Sequence, residues 1–127
     1  MHFQRAKRIA LFLAGMGIAQ LAAAESVKVL VQSSPLAGSQ YYAAAKAWND
    51  IRIGDRLTLT REPGNRHDRN AVRIEWQGQQ IGYLPRAENG VVARALDAGE
   101  KLEARVSKRR DDPDPWRRIE IEVYLIL

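Results

Sequence analysis

The segment REPGNRHDRNAVRIEWQGQQIGYLPR, residues 61–86, decides the fold of this chain, because a polar loop leads into two strands joined by a tight turn. Residues 71–76 alternate apolar and polar side chains, as expected of a strand with one buried face. Gln77 to Gln79 then supplies turn-forming residues before a second extended run at residues 80–84. This order predicts a β-hairpin that closes a structured loop. The side chains expected to face inward on its first strand are Val72, Ile74 and Trp76.

Other short segments with the same alternation extend the prediction to a mostly β domain. The expected strands are residues 26–32, 36–42, 56–61, 101–109 and 119–127, in addition to the hairpin. An Ala-rich run at residues 42–48 indicates a short helical turn, and residues 88–98 predict the one long helix. Asn89 is its expected N-cap and Gly99 stands at its C-terminal cap. About six strands and one helix favour a small, curled antiparallel sheet with the helix at one end.

The first 24 residues have the order of parts typical of a secretory signal peptide. A basic start is followed by an apolar run of 11 residues at 9–19, and then by an A-x-A-type cleavage site at Ala22 to Ala24. A membrane span usually needs about 17–25 residues, so this run is short for an anchor. We therefore expect a secreted or periplasmic protein, cleaved after Ala24, with one domain over residues 25–127. The alternative is a leader retained as an N-terminal anchor helix.

Cleavage would change the charge that bears on ligand class. The leader holds three of the 20 Lys and Arg residues and none of the 15 Asp and Glu residues, so +5 falls to +2. The overall field is then weak, and an anionic ligand must be bound by a local cluster of cations. The chain has no Cys, so disulfides are excluded and the fold depends on apolar packing. We expect no stable membrane insertion after cleavage.

Catalytic motifs are absent from the sequence. No phosphate-binding G-x-x-x-x-G-K-[ST] run and no G-x-S-x-G motif occurs, and there is no Cys nucleophile. A zinc site needs three or four ligands, whereas His67 is the only His after the leader. The sequence thus predicts a binding protein without cofactor or metal. A hydrolase or zinc-dependent protein is the third-ranked hypothesis, after the two binding functions below.

The loop within residues 61–86 carries the candidate ligand-binding side chains. Asp68 is expected to accept backbone N–H bonds in the turn, a role compatible with ligand contact. Arginines flank the loop and are suited to phosphate contact and base stacking. The predicted phosphate-binding residues are Arg61, Arg66 and Arg86. Neutralisation of these guanidiniums by Glu62 and Glu88 would weaken that prediction.

Five motifs in order make the chain resemble the HIRAN domain family over residues 36–127. They are AGSQYY at 37–42, REPGNRHDRNAV at 61–72, IGYLPR at 81–86, ENGVVARALDAG at 88–99 and RIEIEV at 118–123. The resemblance implies an OB-like antiparallel β-barrel that binds single-stranded DNA, in the best-understood members at a free 3′-OH end. An Arg–Tyr pair on the first strand and an Asn, an aromatic residue and an Asp in the loop form the family's pocket. Those positions fall on Gln40, Tyr41, Asn65, His67 and Asp68.

Two departures from the family pattern bear on the ligand. Gln40 replaces the Arg and removes a fixed positive charge, and His67 replaces a Tyr with a smaller ring whose charge depends on pH. Tyr83 is a further candidate for stacking. The expected partner is single-stranded nucleic acid, recognised by stacking and by sugar and phosphate contacts. The alternative is an exported module that binds a protein, peptide or glycan through the same fold, because fold does not determine function.

Overall fold

The computed structural model describes residues 26–127, and the predicted leader lies outside them. The strands are β1 Lys28–Pro35, β2 Arg56–Arg61, β3 Val72–Trp76, β4 Gln79–Tyr83, β5 Leu102–Arg109 and β6 Ile119–Ile126. The helices are α1 Ala44–Ala47 and α2 Gly90–Asp97, with 3₁₀ turns at Ser39–Tyr41, Arg86–Glu88 and Pro115–Arg117. All strands join one antiparallel sheet in the order β1-β6-β5-β2-β3-β4. Within the described residues, no helix is both long and apolar enough to cross a bilayer.

A pair of backbone hydrogen bonds closes this sheet into a barrel. Ala37, just after β1, and Tyr83, at the end of β4, each donate an N–H to the other's carbonyl oxygen at 2.9 Å. The two edge strands of the sheet therefore meet at this point. Gly82 makes the approach sterically feasible, because a Cβ there would lie 2.4 Å from the Ala37 oxygen. The result is the small OB-like barrel that the sequence predicts.

Curvature comes from one corner strand and from three irregularities in register. β2 pairs with β5 through Arg56 and Leu57, and with β3 through its remaining four residues. The pairing shifts by one residue between Leu30 and Gln32 in β1, and comparable shifts occur in the β3–β4 and β5–β6 pairs. Extra residues of this kind bend a strand and increase its twist, as closure of a small barrel requires.

Apolar side chains from β2 to β6 fill the barrel, and α2 covers one end of it. Val72, Ile74 and Trp76 are buried, as the alternation predicts, and the Trp76 indole donates to Asp55 at 3.0 Å. Val92 of α2 is fully buried and Leu96 packs against the same core. The other large, fully buried side chains are Leu36, Ile51, Ile81, Leu84, Val106, Ile119, Ile121 and Val123. This core fixes the positions of the loops at the barrel surface.

One local expectation is wrong, and a second is confirmed in position but not in its hydrogen bond. Residues 36–42 do not continue as a strand, because Gly38 adopts a left-handed conformation (φ 73°) and turns the chain into the 3₁₀ turn Ser39–Tyr41. Asn89 stands at the N-cap of α2 but makes no side-chain cap bond, since its amide donates to Asp68 instead. The hairpin turn at Gln77 and Gly78 is confirmed, with positive φ at both residues.

The closure point generates a stability prediction. Gly82→Ala places a methyl group against the Ala37 oxygen and the Leu36 side chain, and should lower the free energy of unfolding by about 2 kcal/mol or more. Urea denaturation followed by circular dichroism measures this change. Gly64→Ala is the matched control, because a Cβ there meets nothing within 4 Å, and its effect should stay within about 0.5 kcal/mol. Equal effects of the two substitutions would contradict closure at Gly82.

Candidate nucleic-acid interface

Barrel closure positions the first pair of candidate residues. The 3₁₀ turn Ser39–Tyr41 begins two residues after Ala37, and the Tyr41 N–H donates to the Gly38 oxygen at 3.0 Å. Gln40 is exposed and Tyr41 is 78% exposed, so neither side chain contributes to the core. A large aromatic ring this accessible is available for stacking on a planar ligand. Gln40 and Tyr41 therefore lie on a surface turn, and not on the strand where the resemblance put them.

The loop between β2 and β3 is held by its own amide and carboxylate groups. The Asn65 side-chain oxygen Oδ1 accepts the backbone N–H of His67 at 2.9 Å and that of Asp68 at 3.3 Å. Asp68 accepts the Asn70 N–H through one carboxylate oxygen at 3.0 Å and the buried Asn89 amide through the other at 2.7 Å. Each carboxylate oxygen keeps a further acceptor site. Asn65 and Asp68 thus shape the loop, and this leaves the His67 side chain exposed at its surface.

Tyr83 joins this loop to the Ser39–Tyr41 turn. Its hydroxyl donates to Glu62 at 2.8 Å, and the same carboxylate oxygen accepts the Asn65 amide at 3.1 Å. Its ring meets the Tyr42 ring edge to face, with centroids 5.7 Å apart. Arg73 completes the cluster with an ion pair to the second Glu62 oxygen at 3.0 Å. Tyr83 is therefore a connecting residue, only partly accessible, in place of the free stacking face that the sequence indicates.

This cluster shifts two ionisation equilibria in opposite directions. Burial, followed by the hydrogen bond to Glu62, raises the pKa of Tyr83 to about 12. Burial also raises the pKa of Glu62, but hydrogen bonds from Tyr83 and Asn65 and the Arg73 charge outweigh it and leave that pKa lowered. At neutral pH the phenol is thus a donor and Glu62 an anion. Arg73 pairs with both Glu62 and Glu75, so this cluster of two carboxylates and one guanidinium has one negative charge in excess.

The three arginines predicted to bind phosphate have different environments. Arg61 is held by Asp97, with Nε 2.9 Å from Oδ1, and it also donates to the carbonyl oxygens of Ala71 and Arg69. Its charge is compensated, and its role is to fasten the loop to α2. Arg66 and Arg86 are exposed and make no ion pair within residues 26–127. These two guanidiniums remain available to an anionic ligand.

The two glutamates whose pairing with these arginines would weaken the phosphate prediction do not pair with them. Glu62 pairs with Arg73, and Glu88 makes no ion pair in the described part of the chain. The partner of Arg61 is Asp97, which lies 36 residues further along the sequence. The phosphate prediction is therefore weakened for Arg61 alone, through Asp97 and not through Glu62 or Glu88.

Sequence reasoning missed one aromatic residue at this face. Trp116 is 50% exposed on the 3₁₀ turn Pro115–Arg117, which packs against the turn that carries Tyr41. The Asp114 carboxylate holds Trp116 in place by accepting its backbone N–H at 3.0 Å. A large aromatic ring inside the polar run DDPDPW was the available signal, because an aromatic side chain in a surface turn is accessible for stacking on a ligand.

The assembled face can bind a ligand but offers no catalytic grouping. Two exposed aromatic rings lie on turns that contact each other, and the β2–β3 loop and the segment after β4 add amide and carboxylate groups and two guanidiniums that make no ion pair among the described residues. Among residues 26–127, no three His, Cys, Asp or Glu side chains gather as a metal site. The arrangement suits stacking combined with recognition of hydroxyl and phosphate groups.

Comparisons with known proteins agree with this fold. The model of the HIRAN domain matches residues 29–127. The crystal structure of a protein from Lactobacillus plantarum superposes with a TM-score of 0.69 at 24% identity, over 80% of this chain and 98% of that one. The HIRAN domain of human HLTF superposes with a TM-score of 0.56 at 21% identity, over 78% and 77% of the two chains. No curated protein matches the sequence.

The lowered pKa of Glu62 predicts a pH-dependent contribution to stability. A carboxyl group whose folded pKa lies below its ordinary value stabilises the fold above the unfolded pKa, and this contribution disappears as pH falls through the folded pKa. Glu62→Gln should therefore destabilise the protein more at pH 6 than at pH 3, as measured by urea denaturation. Glu88→Gln is the control, because Glu88 is exposed without an ion pair among the described residues. If Glu62→Gln lowers the free energy of unfolding by the same amount at both pH values, the charged cluster does not stabilise the fold.

Proposed function

The chain belongs to the HIRAN domain family, and on that premise we propose that it is an exported module that binds single-stranded DNA. HIRAN domains generally bind nucleic acid. The observation that supports a single strand is Tyr41, a 78% exposed ring on a turn beside the β2–β3 loop. A base in a duplex cannot stack on such a ring without being unpaired first, whereas a strand end can.

The binding mechanism follows from three kinds of contact. The Tyr41 ring stacks on the terminal base, and Trp116 on the neighbouring turn offers a second ring. Asp68 keeps acceptor sites that can take the hydrogen of a sugar hydroxyl. Arg66 and Arg86 meet the phosphates. Gln40 contributes no charge, so affinity depends more on stacking than in relatives that carry an Arg there.

Capture of a 3′-OH end is the finer part of the proposal. A free hydroxyl can donate to the Asp68 carboxylate, whereas a terminal phosphate brings negative charge towards both Asp68 and Glu62. The face therefore favours a hydroxyl end over a phosphorylated one. The place of action is outside the cytoplasm, on extracellular or imported DNA, and the support for it is the leader pattern of residues 1–24.

A second candidate function is binding of a protein, peptide or glycan by the same face. Glu62 favours it, because its anion at the centre of the cluster repels phosphate and suits a hydroxyl-rich or cationic ligand. The low net charge expected after cleavage and the compensated Arg61 act in the same direction. The two functions differ in how strongly binding depends on salt.

Stacking on Tyr41 can be measured by fluorescence anisotropy with labelled single strands that end in 3′-OH or in 3′-phosphate. Tyr41→Ala should weaken binding by about 5- to 150-fold, the equivalent of about 1–3 kcal/mol for one stacked base. Tyr41→Phe should bind like the wild type, because the ring is kept. The hydroxyl end should bind more tightly than the phosphate end.

The outcomes distinguish capture of a 3′-OH end, binding of a single strand, and binding at Tyr41. Equal affinity for the two ends would reject end capture and leave strand binding in place. No binding of either strand at low salt would reject nucleic acid as the ligand in favour of the second candidate function. Binding that Tyr41→Ala does not change would place the strand elsewhere on the barrel.

The phosphate contacts predict a change in salt dependence. Arg66→Ala and Arg86→Ala should each reduce the slope of log K against log salt concentration by about one phosphate contact, about 0.7 for a single strand. Lys101→Ala is a charge-matched control, because Lys101 is exposed in the connection between α2 and β5. A slope reduced equally by all three substitutions would indicate a diffuse field and no local phosphate site.

A further inference from the structure

An apolar groove lies where α2 crosses the ends of β1, β5 and β6. Its volume is about 310 Å³. The apolar residues that line it are Val31, Val91, Val92, Ala95, Ala98, Leu102 and Leu125, and the charged ones are Arg94 and Glu100. None of these belongs to the candidate ligand face, so the groove is a separate feature of the molecule.

The groove exists because the inward-facing apolar side chains of β6 continue beyond the buried core of the barrel. Ile121 and Val123 are buried, but the next two residues on that face, Leu125 and Leu127, become progressively accessible, and Leu127 is 72% exposed. β1 adds Val29 opposite Leu125, and it is 43% exposed. Apolar side chains thus reach solvent at this end of the barrel, and an exposed apolar groove rimmed by charged residues is typical of an interaction site.

α2 provides a projecting apolar side chain at the rim of the same groove. Val91 is 59% exposed although the helix is otherwise packed on the core through Val92. A concave apolar surface and a convex apolar side chain therefore lie next to each other on one face. Such a face can pair with its own copy about a two-fold axis, each Val91 entering the other copy's groove.

The charges at the groove are also self-complementary. Arg94 and Glu100 both line it, and neither makes an ion pair within residues 26–127. In a two-fold arrangement the contact of Arg94 with the partner's Glu100 occurs twice, so both charges are compensated. The net charge of +2 expected after cleavage leaves little repulsion between copies.

Lateral pairing of β1 edges is a less suitable way to cover this surface. Val31 is the extra residue at the register shift of β1, and an irregular edge of this kind disfavours continuous pairing with another strand. A second molecule that covers this surface therefore packs against the groove and not along the edge of β1.

We propose that this groove is the interface of a two-fold symmetric homodimer, formed by Val91 and by reciprocal Arg94–Glu100 ion pairs. The interface leaves the Tyr41 turn uncovered, because none of its residues belongs to that turn or to the β2–β3 loop. Each dimer then carries two separate ligand faces.

The test is sedimentation equilibrium over a range of concentrations with the chain Glu25–Leu127, which contains every described element. The crystallised Lactobacillus plantarum protein has this fold over 98% of its own length, so the fold in that protein needs no further domain. The wild type should reach twice its monomer mass.

Val91→Asp should raise the dimer dissociation constant at least about tenfold, because it places a desolvated carboxylate in the interface. Ile53→Asp, at a 64% exposed apolar residue outside the groove, should leave it unchanged.

A charge exchange tests the reciprocal pairing without disturbing the fold, since both residues lie at the surface. Arg94→Glu and Glu100→Arg should each weaken the dimer at least about tenfold, and the double variant should restore it. A monomer at all concentrations would overturn the proposal, as would a double variant no stronger than the single ones. A dimer formed only by the full chain with residues 1–24 would also overturn it, because the leader would then be the occupant.

Discussion

The two hydrogen bonds between Ala37 and Tyr83 are the constraint on which the rest of the structure depends. They join the ends of a sheet whose edge strands would otherwise be unpaired, and they require a glycine at position 82. Closure also brings two distant segments together. The turn that carries Tyr41 leaves the barrel just after Ala37, while Tyr83 reaches across to Glu62 and the β2–β3 loop. A single backbone contact therefore produces both the fold and the candidate ligand face.

The strands and their buried faces could be predicted from the sequence because alternation is a local property. Val72, Ile74 and Trp76 are inward-facing residues of one strand, and β2 has the bounds that its pattern indicates. The turn after Gly38 could not be predicted in the same way. Residues 36–42 are predicted to be extended, but Gly38 turns the chain there, and the Ala43 N–H donates to the Gln80 carbonyl oxygen on β4. Contacts with a distant strand therefore decide whether these residues form a strand or a turn.

The candidate site was harder to predict than the fold, because the state of a charged side chain depends on partners far along the chain. Arg61 and Arg66 look equivalent in the sequence. Asp97, however, forms an ion pair with Arg61, whereas Arg66 makes no ion pair among the described residues. Asp68 is tied to Asn89, whose position as a helix cap concealed this role. Trp116 enters the face through a contact between two turns that lie more than seventy residues apart. None of these pairings is expressed in a local pattern.

The internal hydrogen bonds of the β2–β3 loop have a consequence for how this protein can change over evolution. Asn65 and Asp68 hold the backbone of the loop, while Arg66 and His67 project from it with no side-chain hydrogen bond in the described part of the chain. Substitutions at the projecting positions alter the chemistry offered to a ligand at almost no cost in folding. Substitutions at the holding positions change the loop itself, and at Asp68 they also remove the proposed hydroxyl contact. Ligand preference can thus drift among descendants of this barrel through positions 66 and 67 while the loop keeps its shape, whereas Asp68 is under selection for binding and for stability together.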